Sequence, residues 1–503
     1  MESGDIEDGF VAPGFKPPIN GIVLTRLKSK DNKGENEIPH IESDLAWSRK
    51  VYVRTWGCAH NSSDSEYMSG LLVNSGFKLT PNPDAADLWV LNSCTVKTPS
   101  ENQLENEILK AKKKRKYVVV AGCVSQAAPT VEYLKNVSIV GVQQVDQIVN
   151  VVEETLKGNV VRHLSLRRKE ALSLDLPKVR RNKFVEILAI NTGCLNHCTY
   201  CKTKQARGDL KSFPVDEIVK RAKSAFSEGC KEVWLTSEDL GAYGRDIGHV
   251  LPDLLSQLVK IIPHDCMMRL GMTNPPYILD HLQEIADTLN HPRVYSFLHI
   301  PVQAGSDAVL AEMKREYTSE QFCKVVDFMR ENVPGVYIAT DFICAFPSET
   351  TDDFLDSMKL VEKYKFPSLF INQFYPRPGT PAARLKKIDT VEARRRTAAM
   401  TELFKSYTTY KNDRIGKNYR VLICEKATDK KSYVGHNKAY EHILVSSDKD
   451  LLGQWVTVQI KEVSKFYMKA DLVEDNQTSL RKYYKLAVIP IILLMFFFIV
   501  KLL

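Results

Sequence analysis

Val185-Glu-Ile-Leu-Ala-Ile190-Asn-Thr-Gly-Cys194-Leu-Asn-His-Cys198-Thr-Tyr-Cys201 decides the fold. It opens on a short apolar run of strand length, and three thiols follow within eight residues, from Cys194 to Cys201. A run of this kind reads as a parallel strand buried on both faces, and the loop after it is tight enough to wrap one metal centre. Comparable runs recur at Val233–Thr236, Met267–Leu270, Val294–Ile300, Val336–Ile343 and Leu369–Phe374. Helical stretches at Val215–Phe226, Ile278–Leu289, Ser319–Glu331 and Thr351–Tyr364 separate most of them. Six strands in βα succession predict a partial (β/α) barrel over 180–411, in which chemistry belongs at the C-terminal strand ends. The cysteine loop has that address.

Upstream, Val51-Tyr-Val53, Leu88-Trp-Val-Leu91 and Tyr117-Val-Val-Val120 alternate with helical segments, which predicts a small open α/β domain with a parallel sheet over 49–158. Asn61-Ser-Ser-Asp64 offers caps for a helix through Leu72, Ser100 starts another through Lys114, and Val145–Leu156 is a third. Cys58, Cys94 and Cys123 each lie just past one of the apolar runs. In an open parallel sheet the carboxyl ends of the strands converge on one crevice, so three βα turns can carry three thiolates to a single point. The alternative is that they pack as small hydrophobes. Eleven cysteines in 503 residues are too thin for a secreted disulfide scaffold, so reduced thiols or metal ligands are expected, with Cys230, Cys266, Cys323, Cys344 and Cys424 structural.

Beyond Arg414 the runs Tyr419–Cys424, Ser432–Val434, Ile443–Ser446 and Val456–Val463 have no helices between them and predict a small antiparallel β-barrel over 412–474. Residues 1–48 read as a flexible leader, and the first twenty contain no apolar run, so synthesis is expected to finish in the cytosol. A basic connector with Arg167-Arg168-Lys169 joins the first two domains. Leu486–Val500 is fifteen residues without a charge, preceded by Arg481, Lys482 and Lys485. It predicts a single transmembrane tail anchor over 486–503. With 44% hydrophobic and 26% charged residues, the chain is neither wholly disordered nor collagen-like. The net charge of +8 leans toward a polyanionic partner without establishing one.

Three cysteines on a four-metal cluster leave one iron without a protein ligand, open to bind and reduce a substrate. A structural zinc with His197 as fourth ligand is the other reading. The Cys-x3-Cys-x2-Cys spacing with Tyr200 before the last cysteine resembles the radical S-adenosylmethionine (SAM) enzymes. With the second triad upstream, the chain over 49–474 is similar to the methylthiotransferase family. Thr55-Trp-Gly-Cys-Ala-His-Asn61, Asn92-Ser-Cys-Thr-Val96, Ala121-Gly-Cys-Val124, His299-Ile-Pro-Val-Gln-Ala-Gly-Ser-Asp307, Met313-Lys-Arg-Glu-Tyr317 and Tyr375-Pro-Arg-Pro-Gly-Thr380 carry the likeness.

The resemblance implies two 4Fe-4S clusters. The catalytic one, on Cys194, Cys198 and Cys201, splits SAM to a 5′-deoxyadenosyl radical. The auxiliary one, on Cys58, Cys94 and Cys123, handles the sulfur, and another SAM supplies the methyl group. It places the SAM amino group at Thr236, Ser237, Glu238 and Asp239, for which a capped surface turn is the other reading. Arg269, Asn274, His299, Gln303 and Asp341, also at strand ends, are candidates for the same pocket. Ala345-Phe-Pro-Ser348 departs from the family pattern, which has glycines around Phe-Pro, and without glycine's access to positive φ this loop is expected to be shaped differently.

The barrel at 412–474 resembles a TRAM domain, an RNA-binding module. Its Lys417, Arg420, Lys430, Lys431, Lys438, Lys461 and Lys465, with Tyr419, Tyr433 and Tyr440 among them, suit phosphate contact and base stacking. Its acidic residues nearly balance these, which leaves an ordinary solvated surface as the alternative. Asn191–Lys204 and Leu235–Asp246 resemble the eukaryotic enzymes that act on threonylcarbamoyladenosine in tRNA. The expected activity is therefore methylthiolation of N6-threonylcarbamoyladenosine beside the anticodon, on the cytosolic face of the endoplasmic reticulum membrane. A ribosomal-protein substrate and a membrane-tethered non-catalytic protein are the alternatives. The electron donor and the source of the inserted sulfur are not written in the sequence.

Overall fold

The computed structural model describes residues 49–95, 98–165, 173–429 and 431–473. The leader at 1–48, the Arg167-Arg168-Lys169 run, Lys430 and the tail at 486–503 lie outside the described residues.

The first domain runs β1 (Lys50–Thr55), α1 (Ala59–Asn74), β2 (Lys78–Leu79), β3 (Leu88–Ser93), α2 (Thr98–Lys113), β4 (Tyr117–Gly122), α3 (Cys123–Ala127), β5 (Ser138–Val140), α4 (Ile148–Leu156) and β6 (Arg162–His163). The six strands form one sheet in the order β2-β1-β3-β4-β5-β6, parallel throughout. Every residue of β3 is buried, the apolar run Leu88–Leu91 together with Asn92 and Ser93 at its end. Met68, Leu72, Val151 and Val152 cover one face, and Leu104, Ile108 and Ala111 the other. Helix α1 starts earlier than its cap signals suggest. Asn61, Ser62 and Ser63 lie buried in its first turn, and the N-cap position is Cys58, which makes no side-chain capping bond. Asn61 does not cap because its amide is used across the sheet end.

The second domain begins with β7 (Val185–Ala189), β8 (Asn191–Thr192), α5 (Thr203–Arg207), β9 (Lys211–Ser212), α6 (Val215–Ser227), β10 (Glu232–Thr236) and α7 (Leu251–Ile261). It continues with β11 (Met267–Leu270), α8 (Leu282–Asn290), β12 (Phe297–His299), α9 (Asp307–Glu312) and α10 (Ser319–Asn332). It ends with β13 (Tyr337–Cys344), α11 (Thr351–Tyr364), β14 (Ser368–Gln373) and α12 (Thr390–Ser406). Strands β7, β10 and β11 form one parallel sheet and β12, β13 and β14 another. Parallel bridges Met268–Val294 and Met272–His299 continue the first into the second, which makes the expected six-stranded partial barrel. Helices α7 and α12 escaped the sequence reading, although α7 buries Leu251, Leu254, Leu255 and Leu258 at helical spacing.

In the 345–348 loop, Ala345 takes φ +61°, a left-handed conformation that strains a residue bearing a Cβ. Its amide donates to Glu349 Oε2 at 2.8 Å, and Arg396 holds that carboxylate, also at 2.8 Å.

The C-terminal module is a closed five-stranded barrel of β15 (Asn418–Lys426), β16 (Ser432–His436), β17 (His442–Ser446), β18 (Gln454–Val463) and β19 (Met468–Leu472), in the order β15-β16-β17-β19-β18. It is not purely antiparallel, because β17 and β19 run parallel. An odd number of strands cannot alternate direction around a closed ring, so one neighbouring pair must agree. Among the described residues, Tyr410–Asn437 and Glu441–Val473 form one compact unit, whereas Lys438–Tyr440 belong to the unit that contains both preceding domains.

The transmembrane helix expected in the fold class is corrected. Among the described residues no helix is long and apolar enough to cross a membrane. The stretch that prompted the expectation, 486–503, lies outside the described residues. The architecture is α/β with a parallel-sheet domain, a partial barrel and a small β-barrel.

Candidate active site

The first cysteine triad is built from three βα turns. Gly57 stands at φ +105°, and a Cβ there would lie 2.7 Å from Cys94 Cβ and 2.9 Å from its Sγ, so only glycine lets the turn bearing Cys58 close on Cys94. Gly122, at φ +87°, turns the chain from β4 into α3 and delivers Cys123. One side chain ties the three turns together. Asn61 Nδ2 donates to Trp56 O at 2.8 Å and to Ser93 O at 2.9 Å, and Asn61 Oδ1 accepts from Cys123 Sγ at 3.6 Å. Burial pushes the Cys123 thiol up to about 12, against the pull of Arg207. Ligation by iron must therefore displace a proton from it.

The second triad sits on the loop after β8. Gly193, at φ +75°, passes so near Asp209 that a Cβ would meet its carbonyl oxygen at 2.1 Å. Cys194 N donates to Gly208 O at 3.1 Å, and Cys201 Sγ donates to the Thr203 hydroxyl at 3.1 Å. Burial raises the Cys194 and Cys198 thiols, and Cys201 pushes both further in the same direction. Arg315 Nη1 donates to Cys198 Sγ at 3.2 Å. Among the described residues no three His, Cys, Asp or Glu side chains are grouped to hold a single metal ion. In a four-iron cluster each thiolate takes a different iron, so two triads of sulfur donors fit such clusters better than a zinc. His197, the fourth ligand in the zinc reading, has its Nε2 2.9 Å from Lys204 Nζ.

Two consecutive residues after β10 join the triads. Asp239 turns to the second, where Oδ2 accepts from Asn274 Nδ2 at 2.6 Å and Asn196 Nδ2 at 3.3 Å, and Oδ1 accepts from Asn274 N at 3.1 Å. Burial pushes its carboxyl up to about 6 despite these donors. Tyr277 OH holds Asn196 Oδ1 at 2.5 Å, and Arg315 reaches Asn274. Glu238 turns to the first triad, with Oε1 2.9 Å from Arg207 Nε and 3.1 Å from His60 Nδ1. Arg207 Nη2 spans onward to Asp64 Oδ2 at 2.7 Å and Asn61 Oδ1 at 2.6 Å, and its charge reaches Cys58 and Cys123.

Of the predicted pocket residues, Asp239 and Asn274 thus meet at the second triad. Thr236 and Ser237 are buried behind them, with Ser237 Oγ accepting from Asp239 N at 2.9 Å. His299 and Asp341 form a separate buried pair, Nε2 to Oδ2 2.5 Å, and Gln303 lies beside it, its amide donating to Asp341 O at 2.8 Å. Arg269 stands apart. Its guanidinium lies 4.3 Å from the Trp234 ring and donates to Tyr440 OH at 3.0 Å. Sequence reasoning gave no role at this site to His60, Asn61, Asn196, Arg207, Tyr277 or Arg315. Asn61 and Arg315 stand inside motifs it quoted, whereas nothing in the sequence marks Arg207, 146 residues from Asn61.

On the barrel, the predicted RNA surface is thinned. Lys438 Nζ donates to Leu289 O at 2.5 Å and Ser296 Oγ at 3.0 Å, and Tyr433 and Tyr440 are buried. Lys417 pairs with Asp413 at 3.2 Å. Arg420 remains exposed, its guanidinium 4.7 Å from the Trp455 ring, a residue the sequence reading passed over.

Residues 50–141 match the family described as Uncharacterized protein family UPF0004, residues 188–361 the Radical SAM superfamily, and residues 413–473 the TRAM domain. The chain is 53% identical over 483 residues to a threonylcarbamoyladenosine tRNA methylthiotransferase of Xenopus laevis, covering 94% of this chain and 86% of that one. It is 56% identical over 484 residues to the Homo sapiens protein of the same name, covering 94% and 83%. A probable threonylcarbamoyladenosine tRNA methylthiotransferase of Pyrococcus horikoshii is 35% identical, covering 84% of this chain and 99% of that one.

Proposed function

The chain belongs to the threonylcarbamoyladenosine tRNA methylthiotransferases, and from that premise we propose how its two cysteine triads divide the work. The activity is methylthiolation of threonylcarbamoyladenosine in tRNA by radical chemistry, with an iron-sulfur cluster and SAM as cofactors. An aromatic C–H bond offers no acid for a general base and no leaving group for a nucleophile, so the cofactors supply the radical and the protein supplies position and shelter from water.

In this reading the protein holds two 4Fe-4S clusters. Cys194, Cys198 and Cys201 carry the one that works with SAM, and Cys58, Cys94 and Cys123 carry the one that delivers sulfur. Asp239, braced by Asn274 and Asn196, takes the SAM ammonium. Arg315 donates to the Cys198 sulfur and offsets the negative charge of a thiolate there. The observation that carries the reading is the Glu238-Asp239 pair, whose carboxylates serve the two triads from adjacent positions on one chain segment. Two centres held at so short a remove can share one substrate. Exposed Arg420 with Trp455 supports an RNA-binding role for the barrel.

Mass spectrometry of tRNA nucleosides from cells lacking the protein tests substrate and activity together. The methylthio form of threonylcarbamoyladenosine should disappear while its precursor accumulates. Unchanged nucleosides would reject the assignment.

A further inference from the structure

The segment that follows β10 carries an exposed arginine on a tightly held loop. Gly244, at φ +82°, brings the chain so near His249 that a Cβ would lie 2.7 Å from its carbonyl carbon. Gly244 O accepts from the Ile247 and His249 amides at 2.9 and 2.8 Å. Contacts to β9 and the residue after it pin the loop on both sides of Arg245. Tyr243 OH donates to Phe213 O at 2.8 Å, Gly244 N donates to Ser212 Oγ at 2.9 Å, and Asp246 Oδ2 accepts from Ser212 N at 2.8 Å. The backbone of Arg245 is thereby fixed while the residue stays exposed. Its guanidinium lies 4.8 Å from the centre of the Tyr277 ring. Tyr277 OH in turn donates to Asn196 Oδ1 at 2.5 Å, inside the cysteine loop. Among the described residues no carboxylate stands within ion-pair distance of Arg245.

A guanidinium held over an aromatic ring is oriented at little further entropic cost and can still donate two parallel bonds to an oxyanion, above all a phosphate. Tyr277 links this exposed cation to the buried Asn196 and Asp239, so Arg245 marks the rim of the second triad's pocket. A base that reaches the triad must enter that pocket, while the charged ribose-phosphate chain carrying it stays at the rim in water. We propose that Arg245 grips a backbone phosphate of the tRNA anticodon loop and so holds the target adenosine at the second triad. This rests on the function proposed above. It goes further in giving the partial barrel an RNA contact of its own, separate from the groups that hold SAM.

The test is binding without turnover, on iron-loaded full-length protein. Two anticodon stem-loop RNAs of one sequence, one carrying threonylcarbamoyladenosine and one plain adenosine, are titrated over a range of salt. Arg245→Gln should weaken binding of both about tenfold, the loss of one charge-assisted bond. It should also reduce the slope of log affinity against log salt by about 0.7, the share of one single-stranded phosphate. Arg245→Lys should recover the slope and part of the affinity, since the charge returns without the fork. SAM binding, read by equilibrium dialysis, should match wild type. Weakening confined to the modified RNA would give Arg245 to the threonyl carboxylate, and weakened SAM binding would give it to SAM. Either result overturns the proposal, as does an unchanged salt slope or a wild type that binds neither RNA. The nucleoside analysis of cells is independent of this titration, so failure of one is distinguishable from failure of the other.

Discussion

Replacing Arg207 by methionine keeps most of the side-chain volume and removes the one charge that Asp64, Glu238 and Asn61 converge on. The guanidinium pairs with Asp64 at 2.7 Å and Glu238 at 2.9 Å, at side-chain exposures of 2% for Arg207, 15% for Asp64 and 13% for Glu238. Deleting one partner of so buried a pair typically costs about 3–5 kcal/mol, because the remaining charge is left uncompensated. His60 still stands 3.1 Å from Glu238, which argues for the lower end. For a unit of this size the urea dependence is about 3 kcal/mol per molar, so the unfolding midpoint should fall by about 1 M. Iron-free protein, followed by tryptophan fluorescence, is the material for the assay, since burial holds the Cys123 thiol at about 12 and its thiolate does not compete for the arginine at neutral pH.

The effect carries a pH signature. In the wild type, burial raises Glu238, but His60 and Arg207 outweigh it and hold the carboxyl below its ordinary value. Its contribution is therefore present above the unfolded value of about 4.3 and is lost as pH falls through the folded one. In Arg207→Met burial gains the upper hand and the pKa of Glu238 rises. The ionised group then opposes folding near neutrality, and protonation relieves it on acidification. The gap between the two proteins should be widest near pH 7 and should close toward about pH 4. A midpoint within about 0.2 M of wild type at pH 7, or a gap that widens in acid, would refute the reasoning.

Replacing Cys58, Cys94 and Cys123 by alanine should halve the bound iron of the reconstituted protein and abolish methylthio product, while SAM is still cleaved to 5′-deoxyadenosine; full iron retention would sink the two-cluster assignment. Asp239→Asn should weaken SAM binding by about tenfold or more, the value of a charge-assisted hydrogen bond, at unchanged iron content, as read by equilibrium dialysis. Deleting the barrel from residue 412 onward should weaken tRNA binding and flatten its salt dependence, because fewer phosphate contacts release fewer counterions; an unchanged slope of affinity against salt would remove the barrel from the interface.

What was legible in the sequence follows from how local each signal is. Cys58, Cys94 and Cys123 sit 36 and 29 residues apart, yet each follows an apolar strand, and parallel topology puts the three βα turns at one end of the sheet. The strand ends of the partial barrel were legible for the same reason. The odd-stranded closure of the C-terminal barrel was not, because Met468–Leu472 alternates Met, Lys, Ala, Asp and Leu too weakly to announce a strand. At Ala345 the alanine in the sequence does not announce a left-handed residue, and Glu349 and Arg396 hold it in that conformation. Tertiary hydrogen bonds overrode a local preference of about 1–2 kcal/mol.

The Thr236-Ser-Glu-Asp239 stretch marks the limit of reading by motif. Its four residues were assigned to one pocket, whereas the chain leaving β10 sends Glu238 to His60 and Arg207 and Asp239 to Asn274 and Asn196. Adjacent side chains in extended backbone point to opposite sides, so a polar run at a strand end serves two sites as readily as one. Asp239 at φ −169° keeps that extended form. The sequence displays the run, but Glu238 finds its neighbours on α1 and α5, which are more than a hundred residues apart, and Asp239 finds its own on the cysteine loop and the turn after β11. Because both carboxylates ride on one segment, a shift of β10 that moved Asp239 at the second triad would also move Glu238 against Arg207 at the first. The two triads are therefore positioned together rather than by separate supports.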